Sequence, residues 1–307
     1  MRLNRRTFLF TAAGAVVAAG RPRAAEKLPL CFSTLGCPQW SWKQIVDGAV
    51  ANGYAAVELR GLLGQMDLPT SPEFSPERVK EKRADLSAAG ISIAGLGSSA
   101  QMHHADPAAR KKNLDEARRF IDLAAALKAP YVRVFGDKVP EGEDKATVVK
   151  RVGDGLRELS SHARGSGVQV IIESHGDFPD SPTLLAIMKA AGEGPAILWD
   201  THHTVVAGHE APADTFRQIG KFVRHTHIKD SVPAGGDEVK YVLLGQGQVP
   251  IRQIVEALAS GGYKGFYGFE WEKAWHPDIE APEIAIPQYA KTMREYLKQA
   301  GVSAAII

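Results

Sequence analysis

The chain predicts a single-domain α/β fold, a (β/α)8 TIM barrel, on three observations. Short apolar runs alternate with helix-like stretches along its length, the pattern of a parallel sheet covered by helices. Eight such runs are present. The last four each end in a side chain able to ligate a metal: Glu173 in VQVIIES, Asp200 in PAILWD, His227 in VRHTHIKD and Glu270 in GFYGFE. The steps between them are 27, 27 and 43 residues, against about 30 for a strand and its return helix in such a barrel.

The elements follow in order. The first 25 of the 307 residues read as a leader that precedes the fold. Arg2, Arg5 and Arg6 come before an apolar run from Phe8 to Ala19 that is too short to span a bilayer. Arg5-Arg6 followed by Thr7-Phe8-Leu9 resembles a twin-arginine export signal, with an ordinary secretory signal as the alternative. Cleavage fits near Val17-Ala18-Ala19 or near Ala24-Ala25, and no Cys follows the run to carry a lipid anchor. The barrel, residues 26–307, then opens with a strand over 28–34 and a helix near 42–52. Strand 55–60 precedes helix 75–89, and strand 92–96 precedes helix 107–127, where Ile121, Ala124, Ala125 and Leu127 keep helical spacing. Strands 131–135, 169–174 and 196–200 lead into helices near 144–165, 181–191 and 211–219. Strand 223–228 is followed by an insertion, 231–247, which accounts for the long step before Glu270. Pro233-Ala234-Gly235-Gly236-Asp237 would turn a small hairpin there, with its second strand over 239–244, hanging over the catalytic rim. Helix 250–260, strand 265–270 and helix 283–299 close the chain. Gly53, Gly90, Gly167 and Gly262 each fall between a helix and the next strand, as C-terminal helix stops do.

Composition narrows the partners. The whole chain carries 37 basic and 35 acidic residues, but five of the basic ones lie in the leader, so the remainder is mildly acidic, near −3. That offers no general attraction for nucleic acid. Cys31 and Cys37 are expected as free or buried thiols, since one lies in a strand and the other in the loop after it.

The polar groups cluster where barrel enzymes hold their sites, at the C-terminal ends of strands. Side chains two apart share a strand face. Glu173 therefore pairs with His175, Asp200 with His202, His227 with His225 and Lys229, Glu270 with Glu272, and Glu58 with Arg60. Six of the ten histidines fall between 175 and 227. Each residue alone has a plain structural reading, as a helix cap, surface charge or core histidine. Four on successive strands at barrel spacing are expected to form one divalent-metal site with oxygen-rich character.

The chain also resembles the xylose isomerase-like barrels, the sugar phosphate isomerase/epimerase or AP endonuclease 2 group. The resemblance runs through FSTLGCPQWSW, GYAAVELRG, IIESHGDF, LWDTHH, HTHIKD, LGQGQVPI and GFYGFEWEKAWHP. It implies one divalent metal, Mn2+ above all, or Mg2+, Co2+ or Zn2+, on Glu173, Asp200, His227 and Glu270, with Glu272 a possible substitute for Glu270. It also implies that Glu173 and Glu270 act as an acid/base pair and that His203 holds a substrate oxygen. His175, Lys229, Glu58 and Arg60 are further substrate-side candidates. Lys229 could instead pair with Asp230 or Glu270. Arg133 is expected to neutralise carboxylates. Trp42, Trp271 and Trp275 could stack on a sugar or simply pack at the rim.

The implied activity is isomerisation or epimerisation of a carbohydrate, by metal-assisted removal of the proton beside a carbonyl to give an enediolate. Export points to a non-phosphorylated sugar or keto-sugar as substrate, with the protein precursor carried to the periplasm by the twin-arginine machinery and no stable membrane anchor expected. The near alternative is a 3-keto-sugar or keto-glycoside lyase or hydratase. An AP endonuclease-type hydrolase drawing on His103 or His104, or a non-catalytic sugar-binding barrel, would be further readings.

Overall fold

The computed structural model describes residues 27–236 and 238–303, so the leader expectation lies outside the described residues. Seven strands precede the insertion: β1 (Leu30–Ser33), β2 (Ala56–Leu59), β3 (Ser92–Gln101), β4 (Tyr131–Phe135), β5 (Gln169–Glu173), β6 (Ala196–Asp200) and β7 (Val223–Ile228). The insertion forms an antiparallel hairpin, β8 (Asp230–Gly235) with β9 (Glu238–Val242), as its Pro/Gly-rich turn predicts. The strand β10 (Tyr267–Phe269) then fits between β7 and β1 and closes an eight-stranded parallel barrel.

The helices are α1 (Trp42–Ala51), α2 (Pro76–Ala89), α3 (Pro107–Leu127), α4 (Lys145–Ala163), α5 (Ser181–Ala191), α6 (Thr201–Val206), α7 (Pro212–Ile219), α8 (Ile251–Ser260) and α9 (Pro282–Gln299). Their starts are set by local chemistry. Ser41 and Gln44 form a reciprocal capping box on α1, and Asp106, Asp144 and Asp180 each accept the backbone N–H three residues on. Gly90 ends α2 in the left-handed conformation. No described helix is long and apolar enough to cross a membrane.

Alternation along the strands divides the core in two. Residues such as Phe32, Val57, Val132, Ile172 and Trp199 face outward and bury the helices' apolar stripes. Inside the barrel, Cys31, Ala56 and Ala94 pack with Phe266, and Ile171, Ala196 and Leu198 pack with Tyr131. Above these apolar layers, towards the C-terminal rim, the inward positions turn polar. Register aligns them: Phe135 lies opposite Glu173, and Asp200 opposite His227. Both cysteines are free and buried.

Two local differences from the sequence reading matter. The last barrel strand is shorter than expected, so Glu270 sits just past it. The short helix α6 was not foreseen. It begins at Thr201, immediately after Asp200, so strand alternation does not carry on to His202.

Candidate metal centre

Glu173, Asp200, His227 and Glu270 converge at the barrel's C-terminal mouth. One ligand atom from each lies within 4.8 Å of all the others, and all four residues are buried. The imidazole is the hub. His227 Nδ1 is 3.2 Å from Glu173 Oε1, 3.1 Å from Glu270 Oε1 and 4.0 Å from Asp200 Oδ2. Each carboxylate is held from behind. Asp200 Oδ1 accepts the backbone N–H groups of His202 and His203 as the cap of α6, which leaves Oδ2 facing inward. Arg133 Nε lies 3.1 Å from Glu173 Oε2, and its guanidinium stacks 3.8 Å over the Phe135 ring. This ion pair lacks hydrogen-bond alignment, so Glu173 Oε2 and Arg133 Nε both stand without a hydrogen-bond partner.

Lys229 projects into the same cluster. Its ammonium donates to Asp200 Oδ2 at 2.7 Å, to Glu272 Oε1 at 2.8 Å and to Glu270 Oε2. Of the two partners weighed from sequence, Glu270 is met and Asp230 is not. Asp230 turns the other way and accepts the backbone N–H groups of Ser231, Gly245, Gly247 and Val249. Glu272 thus serves Lys229 and stands outside the quartet.

Glu58 and Arg60, substrate-side candidates from sequence, are both engaged by protein partners. Glu58 is buried below the quartet, where its Oε2 accepts from His225 Nε2 and His227 Nε2, each at 2.8 Å. Arg60 donates to Ser99 Oγ at 2.9 Å and is also buried. A helical turn after Asp200 separates the next two histidines. His202 turns to Ser231 Oγ at 2.8 Å, whereas His203 Nε2 comes back to 3.6 Å from Asp200 Oδ2. His175 packs its ring 4.8 Å from that of His203 and places Nδ1 3.4 Å from Asp137 Oδ1. Asp137 holds a left-handed φ of 71° and is fastened by Gln101 Nε2 at 2.8 Å. It had no assignment from sequence. Neither did Tyr241 of the hairpin, whose ring lies 5.9 Å from Lys229 Nζ, 5.5 Å from His202 and 5.1 Å from His276. The hairpin was the one available signal for Tyr241.

The tryptophans do not converge. Trp42 donates to Asp85 under Lys82, on the helical layer, and Trp271 is buried against Phe269. Trp275 alone is exposed. His103 and His104 bond to Gly136 and Gln101 and enter neither group of potential metal ligands found among the described residues.

Electrostatics explains why the quartet fits a divalent cation. Five buried carboxylates (Glu58, Glu173, Asp200, Glu270, Glu272) meet three buried cations, Lys229, Arg133 and Arg60. With neutral histidines that leaves two negative charges unmatched in a medium where unpaired charge is costly. Protons take up the difference in the bare site. Burial, only partly offset by Lys229, pushes the Asp200 carboxyl up to about 7. Burial would lower His227, but Glu270, Glu58 and Glu173 together hold it well above the usual histidine range. Burial would raise Glu270 and Glu173 too. His227 and Lys229 hold Glu270 well below the carboxylate range, and Arg133 and His227 do the same, less strongly, for Glu173. Three oxygens and one nitrogen suit Mn2+, Mg2+, Co2+ or Zn2+ alike.

The fold and site together define a class, the closed parallel barrel whose C-terminal mouth carries an acidic, His-centred cluster that could hold a metal ion. Within that class, residues 46–300 match the xylose isomerase-like TIM barrel family, and the chain belongs to it. It is 22% identical over 224 residues to the fructoselysine 3-epimerase of Shigella flexneri, covering 70% of this chain and 79% of that protein. It is 26% identical over 223 residues to the inosose dehydratase of Serratia proteamaculans (strain 568), covering 62% and 72%. Among solved structures, the IolI protein with a bound zinc atom superposes with a TM-score of 0.69 at 18% identity, over 91% of this chain and all of that one.

Proposed function

We propose that the chain is a divalent-metal-dependent enzyme that removes the proton beside the carbonyl of a non-phosphorylated sugar or keto-sugar and returns a proton to give an isomer or epimer. The observation that carries this reading is the convergence of Glu173 and Glu270 on His227 Nδ1, each carboxylate braced by its own cation. A divalent ion held by the quartet would polarise the substrate carbonyl and acidify the neighbouring C–H. Glu173 and Glu270 are both buried and both held as carboxylates, hence as bases. One takes the proton; the other delivers one to the opposite face, having received it from solvent or, for Glu270, through Lys229, and the first then returns its proton to solvent. His203 lies close enough to Asp200 to hold a substrate oxygen beside the quartet. The names fructoselysine 3-epimerase and inosose dehydratase among its relatives support chemistry of this kind. The non-phosphorylated substrate rests on the leader, whose twin-arginine character implies export to the periplasm.

A second reading has its own observation. Lys229 bridges Glu270 and Glu272, which places a proton donor beside one of the two bases. That suits a lyase or hydratase: after the C–H proton is removed, the hydroxyl one carbon further on leaves as water, taking its proton from the donor. Incubation of the metal-loaded chain in D2O with a panel of free sugars and 3-keto-glycosides separates the two. Deuterium incorporation with isomer formation supports the first reading, and loss of water supports the second. No exchange with any keto-sugar overturns the proton-abstraction mechanism.

A further inference from the structure

We infer that Glu58 is a positioning residue that acts through His227: it fixes which imidazole nitrogen keeps a proton and so turns Nδ1 into the metal-binding atom. The inference rests on the metal reading above and assigns a residue that the sequence had placed on the substrate side.

Geometry carries it. Glu58 leaves the inward face of β2, and its Oε2 lies 2.8 Å from Nε2 of both His225 and His227. A carboxylate only accepts, so both rings must donate Nε2–H to it. A neutral His227 with its proton on Nε2 has its lone pair on Nδ1. That atom faces Glu173 Oε1 and Glu270 Oε1 at 3.2 and 3.1 Å, an arrangement that repels unless a cation or a proton stands between them. The carboxylate below and the oxygen ligands above thus define opposite ends of one ring.

His225 serves as the second anchor. It occupies the barrel interior, one inward position below His227, because β10 offers no side chain there. A Cβ on Gly268 would lie 3.2 Å from His225 Cε1 and 2.3 Å from Thr226 O. With two donors on one oxygen, the Glu58 carboxylate cannot rotate without breaking both bonds. Both bonds fall on Oε2, which commits that oxygen to the two histidines. A carboxylate behind a ligating histidine raises ligand basicity and fixes the ring, and loss of such a partner costs about 10- to 100-fold in metal affinity.

The same three residues also lie close enough together to hold an ion themselves. An ion there would take the Nε2 lone pair and leave any proton on Nδ1, or bridge both nitrogens if the quartet were filled too, so the tautomer and the metal count together distinguish it.

The test uses the full chain. Nitrogen-15 histidine NMR on the Zn2+-loaded wild type should show His227 protonated at Nε2 and metallated at Nδ1. The reverse pattern overturns the inference without any variant. Competition against a chromophoric chelator should show Glu58→Gln binding Mn2+ about 10- to 100-fold more weakly than wild type. KM should change far less than metal affinity once the ion is saturating. A Glu58→Gln chain with wild-type metal affinity and a raised KM makes Glu58 a substrate contact instead and overturns the inference. Two ions per wild-type chain would make Glu58, His225 and His227 a metal site of their own and overturn it as well. A wild-type chain that takes up no divalent ion overturns the metal reading itself, and this inference falls with it.

Discussion

His227 and Asp200 share the task of keeping the bare site neutral, and both must give up protons to a metal. Asp200 holds its proton up to about 7 because burial outweighs Lys229. His227 holds its extra proton to higher pH because three carboxylates surround it. Metal uptake below about pH 7 should therefore release about two protons, and above it about one. Mn2+ affinity should rise with pH, about tenfold per pH unit above about pH 7 and more steeply below it. Titration calorimetry in buffers of differing ionisation heat measures both, and a pH-independent affinity would contradict the assignment. Stability gives a separate check with a defined sign. The unfolded Asp200 carboxyl titrates near 3.8 and the folded one near 7. Between those values the folded chain binds the extra proton, so Asp200 costs the metal-free protein stability as pH rises from about 4 to about 7. Asp200→Asn should remove that decline. Urea melts of both chains at the two ends of the window show it as a smaller pH dependence in the variant.

The hairpin β8–β9 depends on one carboxylate at its root. Asp230 is buried and accepts four backbone N–H groups, three of them from the segment 245–249 that returns from the hairpin. Asp230→Ala leaves those donors unpaired and should cost about 2–4 kcal/mol. Gly247 is part of the same device, because a Cβ there would lie 2.1 Å from Asp230 Oδ1. Hydrogen exchange should quicken at Gly245, Gly247 and Val249 in Asp230→Ala, and in Gly247→Ala, with the barrel strands unaffected. Uniform loss of protection would mean the hairpin is part of the barrel's cooperative unit. Elements of this kind were legible to different degrees. The eight barrel strands and the hairpin announced themselves by apolar runs and Pro/Gly punctuation. The helix α6 did not, since THHTVV carries no helical stripe and owes its start to the Asp200 cap.

The barrel as a whole concentrates charge at one mouth and apolar packing everywhere else. Folding therefore has to enclose an excess of acid that a bound divalent ion would relieve. Mn2+ at about 100 times its dissociation constant should add about 2.7 kcal/mol to stability by mass action alone, visible as a rise of several degrees in Tm that excess chelator reverses. A Tm indifferent to metal and chelator would speak against a site formed only in the folded chain. The quartet was visible in sequence because each member ends an apolar run at barrel spacing. The roles of Glu58 and Lys229 were not. Glu58 meets His227 across 169 residues of sequence, and Lys229 reaches Asp200, Glu270 and Glu272, while its neighbour Asp230 faces away.

Residue order alone determined the alternation of strand and helix, the eight-fold count and the four strand-end positions that converge. These are properties of period and spacing, and neighbours along the chain enforce them. Tertiary structure decided which groups share a proton, which cation braces which carboxylate, and that Glu58 meets the Nε2 atoms of His225 and His227. Those outcomes depend on strand register and burial. In a closed barrel, both are set by residues far apart in sequence that must match their charges in one dry space.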